Sequence, residues 1–174
     1  MSEDAIVNRV AKSPLITLDL EEFYHTGERV ELDIADQLYQ GLILREKDFR
    51  EYIKNEGWSD YEGKNVALTC SADAIVPTWA YMLLTTKLEK YCNMVVFGSK
   101  EVLEFALYKD ALSKINWETY NDKPVVVKGC GDLPVPDSAY VEITRLLTPY
   151  AKSIMYGEPC STVPLYKKPK GAKI

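Results

Sequence analysis

A second histidine is missing from this chain, and so is any apolar run approaching the roughly 20 residues that cross a bilayer. With His25 as the lone imidazole, serine- or cysteine-histidine catalysis has a single possible base. The opening MSEDAIVNRV lacks a basic stretch leading into an apolar one, so no secretory signal is expected. Positive charge is scarce. Twenty-one Lys and Arg stand against 26 Asp and Glu, and a net charge of −5 supplies no field toward nucleic acid or anionic membrane. No CxxC or CxxH pair and no Gly-x-x-x-x-Gly-Lys-Ser/Thr loop occurs. The arginine that a phosphatase-like thiol loop places six residues after its cysteine is replaced by Val76 after Cys70 and by Pro136 after Cys130. From these absences a cytoplasmic protein is expected, with neither nucleic acid nor membrane as partner. Its four cysteines, Cys70, Cys92, Cys130 and Cys160, are then expected as reduced thiols.

What is present has the composition of a globular protein, 47% hydrophobic and 27% charged. Its 174 residues suit a single domain over 1–166, followed by a basic tail at 167–174. Apolar and polar residues alternate over Ile16–Leu20 and again over Val30–Ile34, the pattern of half-buried strands, and the loop between them suits a β-hairpin. An amphipathic helix follows, with Phe49, Tyr52 and Ile53 on one face and Gly57 as its stop. From there apolar strand patterns ending near 70, 98, 130 and 160 alternate with helical ones. The intervals of 28, 32 and 30 residues are those of βαβ crossovers. The expected fold is α/β: a predominantly parallel sheet of about four strands, helices on both faces, and the hairpin along one edge. The lysine- and proline-rich end, VPLYKKPKGAKI, has no periodicity and reads as a mobile tail.

Chemistry gathers at the carboxyl ends of parallel strands, beyond which ligands bind in open α/β sheets. The run KPVVVKGCGDLPVPD ends such a strand with Cys130 between two glycines. Cys70 ends the first strand of the series, and Cys160 lies just past the last. Cys92 precedes its strand and belongs at the opposite end. Three thiols along one edge suggest zinc or an iron–sulfur cluster, with Asp73, Asp132, His25 or water completing the ligands. Three uses of these residues stay open: metal binding, a single reactive thiol beside a helix N-terminus, and plain apolar packing of small side chains. Asp73 and Asp132 are equally suited to capping the helices that follow.

The segments IVNRV, GLILREKDFREYI, VALTCSADAIVPTWAYMLL, VVKGC and YGEPCSTVPLYKKPK resemble the bacterial domain-of-unknown-function family 2480. The resemblance spans nearly the whole chain and carries no established activity. It implies an association with iron–sulfur assembly proteins, and it places Cys70, Cys130 and Cys160 inside matching motifs. The expectation is therefore a metal- or iron–sulfur-binding accessory protein. The alternatives are a cysteine-dependent enzyme acting on a small molecule and a non-catalytic interaction module.

Overall fold

The computed structural model of the protein describes residues 15–129 and 131–169. Its strands are β1 (Ile16–Asp19), β2 (Arg29–Asp33), β3 (Asn65–Thr69), β4 (Met94–Phe97), β5 (Pro124–Lys128), β6 (Ser153–Glu158) and β7 (Ser161–Lys167). Its helices are α1 (Glu46–Asn55), α2 (Thr78–Leu88), α3 (Lys100–Ser113) and α4 (Asp137–Leu147). The chain forms two compact units, the first of Met1–Tyr24 with Tyr108–Ile174, the second of His25–Leu107.

The class is α/β, and the first unit holds a mostly parallel four-stranded sheet in the order β1-β5-β6-β7. The strands that compose it differ from those the spacing suggested. β3 and β4 belong to the second unit's sheet, β2-β3-β4, which is parallel throughout. The two N-terminal strands do not pair with each other. β1 runs parallel to β5 with Ile16 opposite Val125, and β2 runs parallel to β3 with Val30 opposite Val66. One cause is local: the Asp19 carboxylate accepts the Glu21 N–H at 3.1 Å and starts a 3-10 turn over Leu20–Phe23, which leads the chain away from a reversal. Another is burial. Val125, Val126 and Val127 are all sealed on both faces, so β5 belongs in a sheet interior with a neighbour on each edge. The expected mobile end is also ordered as far as Lys167, because β7 returns antiparallel to β6 and packs Tyr166 on the first unit's core.

Both units repeat one plan, 59 positions apart. The turn Trp58–Tyr61 answers to Trp117–Tyr120, β3 to β5, α2 to α4, and β4 to the start of β6. Thirteen residues are identical across the repeat, among them Trp58 and Trp117, Lys64 and Lys123, Pro77 and Pro136, Tyr81 and Tyr140, and Gly98 and Gly157. Main-chain bonds repeat as well: Gly63 N–H to Tyr91 O recurs as Asp122 N–H to Tyr150 O, at 2.8 and 3.0 Å. Each half thus supplies a β-α-β unit whose first strand is flanked by a strand from the N-terminal segment. In the second unit α2 packs Leu84 and Leu88 with Leu32, Val66 and Leu68. In the first, α4 packs Ile143 and Leu147 with Leu18, Val125 and Val127. Burying apolar area at ~25 cal/mol per Å² holds each helix to its sheet.

Candidate functional site

The first unit ends three neighbouring strands in charged residues: Asp19 on β1, Lys128 on β5 and Glu158 on β6. Parallel register brings them side by side. The Lys128 ammonium lies 3.0 Å from Asp19 Oδ2 and 3.8 Å from Glu158 Oε1. The hydrogen bond to Asp19, then the charges of Asp19 and Glu158, hold this lysine protonated above its ordinary range. It is a strut across strand ends. Past β5, Gly129 is buried and Gly131 donates its N–H to the Glu21 carboxylate. Gly129 needs glycine for space, since a Cβ there would stand 2.8 Å from the Tyr140 hydroxyl and 3.0 Å from Leu20 Cβ, whereas one on Gly131 would meet only the end of the flexible Glu21 side chain.

From the end of β5 a groove of about 340 Å³ runs along α4, lined by Val127, Asp137, Tyr140, Val141, Thr144, Tyr156 and Leu165. Tyr140 and Tyr156 meet edge to face with ring centroids 5.7 Å apart. β7 contributes the far wall through Leu165. The second unit builds the same groove, about 500 Å³, from Val76, Thr78, Tyr81, Met82, Thr85 and Phe97. Five of these answer position by position to the first groove, and the differences are chemical. Thr78 stands where the first unit has Asp137, and Phe97 where it has Tyr156.

At the strand ends of the second unit, Asp33 Oδ1 accepts the N–H groups of Ala35 at 2.9 Å and Ser71 at 3.0 Å. A side-chain hydrogen bond from Ser71, ahead of these main-chain bonds, keeps the Asp33 carboxyl below its usual range. Burial, with Cys70 and Asp33 close by, pushes the Tyr81 phenol up.

Cys70 lies here half-buried, its Sγ 3.9 Å from the Ala72 carbonyl. Asp73 and Asp132 are exposed in the loops that follow β3 and β5. Cys160 is exposed in the turn between β6 and β7. Cys130 lies outside the described residues. His25 stands at the other end of β3: its Nδ1 accepts the Gly27 N–H at 3.0 Å and faces Asn65 Nδ2 at 3.1 Å, while Asn93 donates to Asn65 Oδ1 at 2.7 Å. Five residues of strand, about 16 Å, separate Asn65 from Cys70, so His25 and Cys70 share no ion. Among the described residues no group of three or more His, Cys, Asp or Glu side chains is placed to hold a metal ion. Cys92 packs against the second unit's core, where burial pushes its thiol up to about 11.

Sequence reasoning from cysteines missed Asp137, Tyr140 and Tyr156. The signal that finds them is the repeat at 59, which pairs the two tyrosine-bearing helices and exposes where they differ.

A family profile described as a protein of unknown function (DUF2480) matches residues 4–168. Neither the curated proteins nor the solved structures compared with the chain gave a match. Among the described residues no helix is long and apolar enough to cross a membrane.

Proposed function

The chain belongs to the domain-of-unknown-function family 2480, and for this member we propose that the groove of the first unit binds a small molecule with an apolar or aromatic body and an ammonium or other strong hydrogen-bond donor. The supporting observation is the repeated groove whose two copies differ in polarity. Only the first unit's groove carries a carboxylate, Asp137, and a second phenol, Tyr156, among its lining residues. Its volume falls in the range of small-ligand sites, and it opens toward the strand ends where α/β sheets bind ligands. Tyrosine faces favour a cation through their ring quadrupole, and Asp137 supplies the counter-charge.

The test is titration with amines, alcohols and carboxylates of matched carbon skeleton, followed by calorimetry and ligand-detected NMR. Amines are expected to bind best. Asp137→Asn should weaken them by about tenfold or more, the value of one charge-assisted hydrogen bond. Because Asp137 opens α4, melting is followed in parallel. Equal binding of the carboxylates, or an unchanged affinity in folded Asp137→Asn, would refute this function.

A second reading keeps the metal or iron–sulfur centre, with a role beside cluster assembly. In its favour, Cys160 is exposed in the β6–β7 turn at the edge where Gly129 and Gly131 bracket Cys130 in sequence. Elemental analysis after anaerobic purification decides it. Stoichiometric iron or zinc that Cys160→Ser and Cys130→Ser abolish would support this centre. Metal content that both substitutions leave unchanged would not.

A further inference from the structure

Between α1 and α2 of the second unit runs a groove of about 330 Å³, lined by Arg50, Ile53, Lys54, Trp58, Leu83 and Lys87. Half of these residues are cations, and none is an acid. The floor is apolar and fixed: Ile53 and Trp58 are buried, and the indole N–H of Trp58 donates to the Ile53 carbonyl at 2.8 Å. Arg50 and Lys54 are exposed, and Lys87 is half-buried. The Arg50 guanidinium lies 5.9 Å from the ring centroid of Trp79, and Glu46 accepts from its Nε at 2.9 Å. Among the described residues neither Lys54 nor Lys87 has an ion-pair partner. In a chain with a net charge of −5 the groove is a local reversal of sign.

The repeat shows which charge this place lacks. Fifty-nine positions on, Arg50 answers to Lys109, Leu83 to Glu142, Ile53 to Leu112 and Trp58 to Trp117. In the first unit Glu142 is buried and takes two hydrogen bonds from Arg145, at 2.9 and 2.7 Å. Those bonds, then the charges of Arg145 and Lys109, hold its carboxyl below the usual range against the opposing effect of burial. The first unit thus carries its own carboxylate among cations. In the second, Leu83 stands for that carboxylate and Thr86 for Arg145, while Lys54 and Lys87 answer to Ser113 and Leu146. The second unit therefore has one cation more here, and no acid.

We propose that this groove binds a small phosphate monoester, its phosphate among Arg50, Lys54 and Lys87 and its apolar body over Trp58, Ile53 and Leu83. The phosphate takes the part that Glu142 plays in the other half. A dianion suits three cations better than a carboxylate does, since a phosphate monoester carries about two negative charges near pH 7 and offers three acceptor oxygens. Arginine pairs with two of them at once, and the lysines act as point charges. The volume falls in the range of small-ligand sites, which leaves room for the apolar body. The inference uses the second unit alone and is independent of the ligand groove in the first.

Calorimetric titration of the full chain with phenyl phosphate, inorganic phosphate, benzoate and benzylamine tests it, with the Trp58 indole N–H followed by NMR. Phenyl phosphate is expected to bind best, to shift that indole signal, and to weaken as salt is added. Benzylamine, a ligand for the first groove, should leave the signal in place. Lys87→Glu should lower phenyl phosphate affinity by about tenfold or more, and exposed Lys54→Glu by about threefold. Leu83→Glu supplies the first unit's carboxylate and should abolish binding, whereas Leu83→Gln, of the same size, should retain it; melting shows that each variant folds. A chain that binds no phenyl phosphate overturns the proposal. So does benzoate or inorganic phosphate bound as tightly, an affinity that folded Lys87→Glu and Lys54→Glu leave unchanged, or a folded Leu83→Gln as weak as Leu83→Glu.

Discussion

Tyr140 reaches back over the end of β5, and Gly129 is what lets it do so. A Cβ there would stand 2.8 Å from the Tyr140 hydroxyl, 3.0 Å from Leu20 Cβ and 3.3 Å from Val135 Cγ2. Two of those three neighbours are apolar atoms held in or against the core, so relief must come from Tyr140. Gly129→Ala is expected to cost about 1–3 kcal/mol in denaturant unfolding and to turn Tyr140 into the groove, lowering ligand affinity. At the counterpart position the second unit already holds a side chain, Cys70, and Cys70→Ala should stay within about 1 kcal/mol of wild type. Cysteine reactivity also divides by position. Cys92, with its thiol pushed up to about 11 by burial, should alkylate last near neutral pH, and exposed Cys160 well before it. Mass spectrometry of timed labelling checks the order; equal rates would contradict the burial assigned to Cys92.

Among the elements, β7 decides the difference between the two units. It removes an edge from β6, brings Tyr166 to the core and walls the groove with Leu165. Ending the chain at Glu158 should therefore lower stability by about 2–4 kcal/mol, through lost ladder bonds and lost burial. It should also leave β6 paired on one side only, as β4 is. Leu165→Lys separates the two effects: the side chain is 53% exposed, so unfolding should shift by no more than about 0.5 kcal/mol while groove binding changes. Urea unfolding of the two variants, side by side, gives the comparison. A truncated chain as stable as wild type would mean that β7 is not part of the cooperative fold.

For the whole molecule, acid sensitivity follows from carboxylates that the fold holds ionised. The Ser71 hydroxyl and the main-chain N–H groups keep Asp33 below its usual range, and a bidentate Arg145 pair, at 2.9 and 2.7 Å, does the same for Glu142. A depressed carboxyl stabilises the fold above its unfolded value and loses that contribution as pH falls through its folded one. Stability should thus be steady above about pH 5 and decline below the ordinary aspartate and glutamate values of about 4. Asp33→Asn keeps an oxygen to accept from Ala35 and Ser71 but has no proton to take up. Its unfolding free energy should fall less steeply below about pH 4 than that of wild type. Parallel slopes in the two proteins would show that Asp33 does not contribute.

The strands, helices and α/β class are legible in the residues, because unbroken valine runs and the i, i+4, i+7 spacing of α4 are local consequences of burial. The strand-end position of Cys70 is legible for the same reason. Strand partners are not. β1 and β2 carry the alternation of a hairpin, yet each joins a distant valine-rich strand, since pairing depends on which buried strand has a vacant side and that is settled far along the chain. The strand intervals of 28, 32 and 30 residues look like one continuous series, while the identities at 59 divide them into two sheets. The chain's own residues therefore determined its secondary structure, its acidity and its doubled plan. Only the tertiary structure decided that Tyr140, Tyr156 and Asp137 meet in one groove and that β1 and β2 join different sheets, because both depend on contacts between residues far apart in the chain.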